Sequence, residues 1–278
     1  MCAITAAKTS VRDVLARHSI QPRKRFGQNF LHDPAVCARI AAAVAPAAGE
    51  SVLEIGPGLG AITRPLLALG ARVTAVEVDP RIADYLEEDL RAEPRFRLVR
   101  GDIREVADSA LSEARVVVGN LPYSITGPLL ALLIEQAPRI DRAVVMIQRE
   151  VATRLLAGAG GREIGAPSVL LRLLYDVSRV LEVGRGAFVP PPEVKSVVLR
   201  LVRREGATLD PALRELVNRA YAHRRKMLRK TLGAVAASEE AIASALAAIG
   251  RAPNARPEEL EPGDWPRLRE ELAAGDRR

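Results

Sequence analysis

The fold is constrained most by residues 33–158, where short apolar runs rich in β-branched residues alternate with segments of helical periodicity. The strand-like runs are SVLEIG (51–56), ARVTAVEVD (71–79), FRLVRGD (96–102), ARVVVGN (114–120) and DRAVVMIQ (141–148). The helix-like segments are DPAVCARIAAAVA (33–45), AITRPLLALG (61–70), PRIADYLEEDLRAE (80–93), GPLLALLIEQA (127–137) and REVATRLLAG (149–158). This alternation predicts an α/β fold with a mostly parallel sheet and helices on both faces.

The pattern changes toward the end of the chain. Two later runs, SVLLRLLYDVSRVLEV (168–183) and KSVVLRLVRR (195–204), have no helix between them, because the prolines of GRGAFVPPPEV (184–194) exclude one. They predict an antiparallel pair at one edge of the sheet. After residue 205 the sequence has helical periodicity only. We therefore expect three parts: a basic N-terminal segment (1–32), an α/β domain (33–205) and a small all-α domain (206–278).

Charge and cysteine content narrow the class of protein. Lys and Arg number 41 against 34 Asp and Glu, which favours a polyanionic partner such as nucleic acid. The two cysteines and three histidines form neither a CxxC motif nor a cluster, so we expect no disulfide framework, no metal site and a reducing, cytoplasmic location. No apolar run of about 18 residues is present, so neither secretion nor membrane insertion is predicted.

The loop between the strand-like run 51–56 and the helix-like segment 61–70 carries Gly56, Gly58 and Gly60. Glycine lets the backbone turn sharply and lets a ligand approach without a Cβ atom in the way. The spacing G-x-G-x-G differs from the G-x-G-x-x-G fingerprint of pyrophosphate binding, so a nucleoside cofactor is favoured and NAD is the alternative. A glycine-rich turn without a ligand is the plainer interpretation.

Acidic residues stand at the ends of the next two predicted strands, Glu77 in AVEVD and Asp102 in RGDI. The carboxyl ends of parallel strands meet at the edge of an open α/β sheet where ligands bind. We expect Glu77 to accept hydrogen bonds from both ribose hydroxyls, Asp102 to accept from an adenine amine, and Ile103 to offer an apolar surface. This order of sites resembles the nucleoside site of S-adenosylmethionine-dependent methyltransferases. A helix cap or a solvated strand end is the alternative.

The fourth predicted strand leads into Asn120-Leu121-Pro122-Tyr123, the next position along the same edge. This tetrapeptide resembles the (N/D/S)-P-P-(Y/F) motif of methyltransferases that modify planar amino groups. We expect the Asn120 side-chain oxygen and the Pro122 carbonyl to accept both N–H groups of the target, which turns the nitrogen lone pair toward the methyl donor. Tyr123 can stack on the flat target, and no general base is required. A simple β-turn is the alternative.

A second aromatic candidate lies in GAFVPPPEVKS (186–196). Phe188 precedes three prolines and could close the other face of a base that has been turned out of its stack. A loop phenylalanine packed into the core is the alternative. The sequence leaves this choice open.

The densest positive charge lies in NRAYAHRRKMLRKTLG (218–233), where helical periodicity places the residues from Arg219 to Lys230 within a little over three turns. Together with RKR at 23–25, it is the predicted surface for nucleic acid. A solvated cationic helix is the ordinary alternative. The candidate RNA-binding residues are Arg23, Lys24, Arg25, Arg224, Arg225, Lys226, Arg229 and Lys230.

Seven motifs in this order resemble the small-subunit ribosomal RNA adenine N6,N6-dimethyltransferases, the KsgA-like family. They are RKRFGQNFLHD, EIGPGLGAIT, VEVD, GD, GNLPYSIT, FVPPPEVKSVVLRL and HRRKMLRKTL. The resemblance implies a Rossmann-like, S-adenosylmethionine-dependent methyltransferase sheet and dimethylation of two adjacent adenosines near the 3′ end of 16S rRNA. It also implies that the partner is the immature 30S subunit and that the protein has a role in subunit biogenesis; we expect a monomer.

By matching motifs, the resemblance implies that Asn29 and Leu31 line the S-adenosylmethionine site with the strand-end residues, and that segment 1–32 closes over it. Without the resemblance, the stretch around Asn29 is interpreted as a basic tail or as a strap packed over the sheet. The chain departs from the family at Ser124, where many bacterial members carry asparagine. It also departs in GREIGAPSVLL (161–171), where members usually show YG-x-LS.

Three other functions stay open at this point. A 23S rRNA adenine N6-dimethyltransferase of antibiotic-resistance type would share the chemistry and differ in the subunit that it modifies. A glutamine-amide methyltransferase of release factors usually shows N-P-P-Y, whereas this chain has Leu121. A non-catalytic ribosome-assembly factor would keep the fold without methyl transfer.

Overall fold

The computed structural model describes residues 10–23, 27–121, 125–161, 163–233 and 238–275. These residues fall into two compact units. The first takes the described residues of 1–132, 138–149 and 178–202, and the second takes those of 133–137, 150–177 and 203–278. The first unit contains most of the sheet, and the second is mainly helical.

The helices among the described residues are α1 (Val11–Arg17), α2 (Pro34–Val44), α3 (Thr63–Ala68), α4 (Pro80–Asp89), α5 (Ile103–Ala110), α6 (Thr126–Glu135), α7 (Arg149–Leu156), α8 (Ala166–Leu174), α9 (Pro211–Ala222), α10 (Leu228–Thr231), α11 (Glu239–Ala248) and α12 (Asp264–Gly275). The strands are β1 (Phe30–Leu31), β2 (Ser51–Ile55), β3 (Arg72–Glu77), β4 (Phe96–Arg100), β5 (Val116–Asn120), β6 (Arg142–Gln148), β7 (Tyr175–Val183), β8 (Phe188–Val189) and β9 (Ser196–Arg203). Short 3₁₀ turns cover Ala137–Arg139, Arg185–Ala187 and Pro257–Glu259.

Seven strands form one sheet in the order β4-β3-β2-β5-β6-β9-β7. The pairs β2–β3, β3–β4, β2–β5 and β5–β6 are parallel, and β9 is antiparallel to β6. The predicted α/β class, with a mostly parallel sheet and an antiparallel addition at one edge, is therefore confirmed. The strand order reverses between β2 and β5, and such a switch point leaves a crevice at the carboxyl ends of the strands.

The central strands are buried on both faces, as parallel strands covered by helices must be. Val52 of β2 and Val116 and Val118 of β5 have no exposed surface, and burial of each contributes roughly 1.5–3 kcal/mol. At Gly119 an added Cβ would lie 2.7 Å from the carbonyl oxygen of Ile55. Only glycine therefore lets β5 run this close to β2 just before the strand ends.

One of the two late strand predictions is partly wrong. Residues 168–174 belong to helix α8, and β7 begins only at Tyr175. The helix starts with Pro167 in its first turn, where proline is favoured. Leu170, Leu171 and Leu174 then recur at helical spacing and are buried. The apolar run is therefore compatible with the buried face of a helix as well as with a strand.

The prediction of one continuous helix through the basic run 218–233 is also wrong. Helix α9 ends at Ala222, and α10 begins at Leu228 after a turn. The N–H group of Leu228 donates to the carbonyl oxygen of Ala255 over 2.9 Å, so a tertiary hydrogen bond replaces the helical one. After this turn, Leu228 and Leu232 are fully buried.

The helical unit has its own core. Trp265 of α12 is fully buried, and its ring centroid lies 5.9 Å from that of Tyr221 in α9. The Tyr221 hydroxyl donates to the Pro257 carbonyl over 3.1 Å. Contacts group residues 150–177 with this unit, and the division of the chain at residue 205 stays a prediction. Across the residues that the structure describes, no helix is long and apolar enough to span a membrane.

Candidate active site

A cavity of about 270 Å³ lies at the carboxyl ends of β2, β3, β4 and β5. Small-molecule sites occupy roughly 300–1,000 Å³, so the cavity is near the lower end of that range. All eight predicted cofactor residues and the aromatic candidate line it. They are Asn29, Leu31, Gly56, Gly58, Glu77, Asp102, Ile103, Asn120 and Phe188. Their roles toward a ligand stay predictions, whereas their common location is a property of the structure.

The glycine loop after β2 turns through left-handed backbone conformations. Gly56, Gly58 and Gly60 have φ angles of +67°, +55° and +77°, a region that favours glycine. A Cβ on Gly58 would lie 3.3 Å from ring atom Cδ1 of Phe30, and a Cβ on Gly60 would lie 2.5 Å from Nη1 of Arg64. The loop therefore needs glycine for its conformation, and Gly58 also leaves room for the Phe30 ring.

A buried carboxylate behind the loop ties β2 to α3. Glu54 is 1 % exposed and accepts a hydrogen bond from Oγ1 of Thr63 over 2.6 Å. Burial raises the pKa of Glu54 to about 7, although the Thr63 hydroxyl and the Arg64 charge oppose this rise. Glu54 does not line the cavity, so we interpret it as a support of the loop.

Glu77 ends β3 with 6 % of its surface exposed, on the wall of the cavity. Its Oε1 accepts from the N–H group of Asp79 over 2.9 Å. Burial raises the pKa of Glu77 to about 7, although main-chain N–H groups that include those of Asp79 and Gly58 act against the rise. A buried carboxylate on a cavity wall is suited to accept hydrogen bonds from the hydroxyl groups of a ligand.

Asp102 follows β4 and caps helix α5, because its Oδ1 accepts from the N–H group of Arg104 over 2.9 Å. The Arg104 guanidinium folds back onto the same carboxylate, with Nη2 2.5 Å from Oδ2, and holds the pKa of Asp102 below its usual value. The side chains of Asp102 and Arg104 are 24 % and 59 % exposed. A ligand amine at Asp102 therefore has to share this carboxylate with Arg104. Ile103, beside them, is buried on the cavity wall.

Asn120 ends β5 beside the glycine loop. Gly119 pairs with Ile55, and the Asn120 carbonyl oxygen lies 3.9 Å from the point where a Cβ on Gly56 would stand. The Asn120 side chain is half-buried on the cavity wall, and its Nδ2 donates to the main-chain carbonyl of Asn29 over 3.2 Å. The carboxamide oxygen Oδ1 is then the arm that remains to accept from a substrate.

Residues 20–23 and 27–32 form a strap, and its second part lies along one wall of the cavity. Phe30 and Leu31 pair with Val189 and Phe188, so β1 and β8 make a separate two-stranded antiparallel sheet. Main-chain pairing thus joins Leu31, a predicted cofactor-binding residue, to Phe188, a predicted catalytic residue. Phe188 is 3 % exposed, so it packs into the core and lines the cavity at the same time.

Four predicted site residues lie outside the described residues. They are Pro122 and Tyr123 of the tetrapeptide, and Lys24 and Arg25 of the N-terminal basic cluster. Ser124, where the chain departs from the family pattern, lies outside them as well. Their roles stay predictions from the sequence.

Among the residues that line the cavity, the sequence reasoning missed Gln28, Phe30 and Arg104. Phe30 belongs to a chain with only four phenylalanines, and that scarcity is a signal that could have drawn attention to it. Arg104 stands two residues after a helix-capping aspartate, a spacing that lets an arginine fold back onto its cap. Gln28 carries no such signal, because one partner of its amide, Asp79, lies 51 residues further along the chain.

Four of the described RNA-binding candidates are exposed, and three of them lie in the turn after α9. Arg224, Arg225 and Lys226 are exposed there, and with His223 they line a shallow surface depression. Three cations on one short turn are suited to contact phosphate groups.

The other described candidates, Arg229, Lys230 and Arg23, lie outside this turn. Arg229 is half-buried, and Nζ of Lys230 lies 2.7 Å from Oε1 of Glu239. Arg23 is half-buried, and its N–H group donates to Oε1 of Gln28 over 2.8 Å.

Comparison with known families agrees with this geometry. A family model described as "Ribosomal RNA adenine dimethylase" matches residues 20–273. A relative from Deinococcus radiodurans, described as "Ribosomal RNA small subunit methyltransferase A", is 43 % identical over 251 residues, which cover 90 % of this chain and 85 % of the relative. A relative with the same description from Thermosynechococcus vestitus is 41 % identical over 263 residues, 91 % of this chain and 97 % of the relative.

Solved structures show the same similarity. A dimethyladenosine transferase from Plasmodium falciparum superposes with a TM-score of 0.73 at 25 % identity, over 89 % of this chain and 98 % of that one. The 23S rRNA methyltransferase ErmE superposes with a TM-score of 0.69 at 31 % identity, over 88 % of this chain and all of that one. Both similarities extend well beyond the glycine loop and its strands.

Proposed function

The chain belongs to the ribosomal RNA adenine dimethylase family, and on this premise we propose that it dimethylates N6 of two adjacent adenosines near the 3′ end of 16S rRNA, within the immature 30S subunit. The observation that carries the proposal is the position of Asn120. Its carboxamide stands at the end of β5 on the same cavity as Glu77 and Asp102. Relatives that are small-subunit methyltransferases by name support 16S rRNA as the substrate.

The cavity residues fit S-adenosylmethionine, the methyl donor that this family implies. Gly56 and Gly58 leave one wall without side chains, as a nucleoside that lies close to the backbone requires. The buried Glu77 would accept from ribose hydroxyls and Asp102 from the adenine amine, while Ile103 would contact the ring. When bound, this cofactor supplies an electrophilic methyl group carried on a sulfonium sulfur.

The strap residues Asn29 and Leu31 complete the proposed cofactor site. Leu31 is 4 % exposed and belongs to the apolar core that continues beneath the cavity. A closed wall of this kind keeps water away from the reacting atoms and strengthens the hydrogen bonds made inside. We infer that the strap serves methyl transfer as well as cofactor binding.

Asn120 is the proposed catalytic residue. Its Oδ1 would accept an N–H of the adenine amino group, which turns the nitrogen lone pair out of conjugation and toward the methyl group. Positive charge develops on this nitrogen, so fixed acceptor dipoles stabilise the transition state, and the loss of one such group typically costs about 10²–10³ in rate. By sequence, the Pro122 carbonyl is the second acceptor and Tyr123 stacks on the base, while Phe188 contributes an aromatic edge to the same cavity.

RNA would be held by the exposed basic turn of Arg224, Arg225 and Lys226, with Lys24 and Arg25 as further candidates. Phosphate contacts of this kind release counterions, so affinity for the subunit should fall steeply with salt. The proposed action on assembling ribosomal subunits places the protein in the cytoplasm, and we propose that it acts as a monomer with a role in subunit biogenesis.

Dimethylation of 23S rRNA is the rival function that a specific observation favours, because the chain is 31 % identical to ErmE over that protein's full length. The two functions share the chemistry of Asn120 and differ in the RNA that is bound. Competition between 30S and 50S subunits for labelled methyl groups separates them.

The experiment measures methyl transfer from labelled S-adenosylmethionine to 30S subunits that lack the modification, followed by mass-spectrometric mapping of the modified adenosines. We expect two dimethylated adjacent adenosines with the parent protein and a loss of about 10²–10³ in rate with Asn120→Ala. Asn254→Ala is the matched control, because Asn254 is exposed and far along the chain from the cavity residues. Preference for 50S subunits would support the rival function. Binding to 30S subunits with no methyl incorporation would indicate an assembly factor, and both results would contradict the proposal.

A further inference from the structure

We propose that Gln28 is a positioning residue for methyl transfer: it fastens the strap to Asp79, and the fastened strap sets the orientation of the Asn120 amide. This inference rests on the role proposed for Asn120 and assigns a function to a side chain that the sequence did not single out. Its basis is a set of hydrogen bonds between described residues that runs from Asp79 through the strap to the Asn120 amide.

The first step is the orientation of the amide. A carboxamide has one donor arm and one acceptor arm, and a half-turn about the Cβ–Cγ bond exchanges them. Nδ2 of Asn120 donates to the main-chain carbonyl of Asn29 over 3.2 Å. A carbonyl can only accept, so a reversed amide would place two oxygens against each other. The Asn29 carbonyl therefore selects the orientation in which Oδ1 is available to the substrate.

The second step is the position of that carbonyl. The Asn29 side chain closes its own turn, with Nδ2 donating to the Gly27 carbonyl over 3.1 Å. On the other side, the pairing of β1 with β8 begins at Phe30, and the N–H group of His32 donates to the Ala187 carbonyl over 2.9 Å. The carbonyl thus lies between a local turn and a short strand, so its position depends on how firmly the strap is held at both ends.

The third step is the fastening at Gln28. Its Oε1 accepts from the N–H group of Arg23 over 2.8 Å, and its Nε2 donates to Oδ2 of Asp79 over 2.9 Å. Asp79 caps helix α4 and its side chain has no exposed surface, so it is a rigid anchor. Nη2 of Arg81 adds a second tie to the strap through the Gln21 carbonyl, over 3.2 Å. Gln28 uses both arms of its amide and is the direct neighbour of Asn29.

Apolar packing makes the inference testable, because it should keep the strap in place when the fastening is lost. Ile20, Phe30 and Leu31 are at most 5 % exposed. Removal of the Gln28 hydrogen bonds should therefore loosen the strap by a small displacement without detaching it. A displacement of about 1 Å near reacting groups can cost up to a hundredfold in rate.

The test compares Gln28→Met, which keeps the length of the side chain and removes both hydrogen-bonding arms, with Gln28→Lys, which keeps a donor for Asp79. Single-turnover rates are measured at saturating cofactor and 30S subunits, with cofactor affinity determined separately by calorimetry. We expect Gln28→Met to lose about tenfold to a hundredfold in the saturated rate, and Gln28→Lys to recover most of that loss. Gln21→Met is the matched control, because Gln21 lies on the same strap with an exposed side chain.

A double-mutant cycle separates this inference from the proposed function. If Gln28 acts through the amide of Asn120, Gln28→Met should cost little further rate in an Asn120→Ala background, because the group that it orients is already gone. Full multiplication of the two losses would overturn the inference, and so would a change in cofactor affinity with an unaltered saturated rate. An Asn120→Ala variant as fast as the parent would instead overturn the function proposed for the site.

Discussion

Two turns at the ends of neighbouring strands use the same local device with different outcomes. Asp79 follows β3 and caps α4, and Asp102 follows β4 and caps α5. In each case an arginine two residues later supplies its N–H group to the capping oxygen and folds its guanidinium onto the same carboxylate. The sequence pattern is D-x-R at both places.

Burial distinguishes the two turns. The Asp79 side chain has no exposed surface and has a further partner in Gln28, whereas the Asp102 side chain is 24 % exposed on the cavity wall. Burial acts to raise the pKa of Asp79, but the hydrogen bonds from Arg81 and Gln28 outweigh it and lower the pKa to about 2. A capped aspartate thus has a structural role when it is enclosed, and its carboxylate is accessible to a ligand when one side is left open.

The largest expected effect is on stability, from Asp79→Asn. Arg81 donates to both oxygens of Asp79 and Gln28 donates to Oδ2, so in either orientation an amide would set its N–H groups against at least one of these donors. Breaking such an enclosed network should lower the free energy of unfolding by about 3 kcal/mol, measured by urea denaturation at pH 7. Because the folded-state pKa is depressed, the contribution is complete above about pH 4 and is lost as the pH falls toward 2, so parent and variant should converge there. A persistent difference at low pH would contradict the ion-pair explanation.

The same substitution at the open turn should act on binding instead. Asn is as good a helix cap as Asp, and the exposed Arg104 can move into water, so Asp102→Asn should change the free energy of unfolding by less than about 1 kcal/mol. Loss of the charged acceptor should weaken binding of S-adenosylmethionine by about 2 kcal/mol, roughly thirtyfold in Kd. Calorimetric titration measures this. Equal destabilisation by the two Asp→Asn variants would remove the distinction between the turns.

The pH dependence of binding sharpens the comparison, because Glu77 lies in the Asp79 turn and has the opposite shift. Burial raises its pKa to about 7, so the carboxylate that ribose hydroxyls require forms only as the pH rises through this value. Cofactor affinity should therefore increase by up to about tenfold between pH 6 and pH 8. The stability contribution of Glu77 has the other sign: it is complete below its ordinary pKa and is lost as the pH rises toward 7.

Two substitutions check the assignment to Glu77. Glu77→Gln should bind the cofactor weakly with a flat pH profile. Glu54 also has a pKa raised to about 7 and does not line the cavity, so Glu54→Gln should keep the slope of the parent. A slope that disappears with Glu54→Gln and persists with Glu77→Gln would refute the assignment.

The smallest expected effect comes from Arg104→Gln. The guanidinium occupies the carboxylate that the adenine amine is proposed to use, and the arginine is 59 % exposed. An exposed ion pair contributes at most about 1 kcal/mol, so its removal should tighten cofactor binding by about twofold to threefold. Weaker binding would show that Arg104 contacts the ligand instead of competing with it. Arg81→Gln, at the enclosed turn, should lower the melting temperature.

The sequence was sufficient for the parts of the fold that depend on apolar patterning. The central strands are continuous runs of β-branched residues, such as Val116–Val118, and each is followed by a residue type suited to bind or cap. The glycine loop was recognisable because its backbone conformation excludes other residues. The strand-end positions of Glu77, Asp102 and Asn120 followed from the geometry of parallel strands alone.

The remaining features depend on contacts between distant residues. Strand β1 has two residues, and its partner Phe188–Val189 lies far away in the sequence, so no local pattern could reveal the pair. The break after Ala222 depends on a hydrogen bond between Leu228 and Ala255. The helical identity of residues 168–174 was hidden because a short apolar run suits a strand and a helix equally.

The pairing of Phe30–Leu31 with Phe188–Val189 uses main-chain groups, so it tolerates changes of side chain and does not tolerate changes of length. Phe30 packs into the apolar cluster of Leu59 and Tyr85, whereas Leu31 packs into the other core cluster, on the opposite side of the strand. A shift of one residue in the register of this pair would exchange these two directions and turn each side chain toward the wrong neighbours. Natural variation within the two paired strands should therefore appear as replacement of one amino acid by another, with the number of residues conserved.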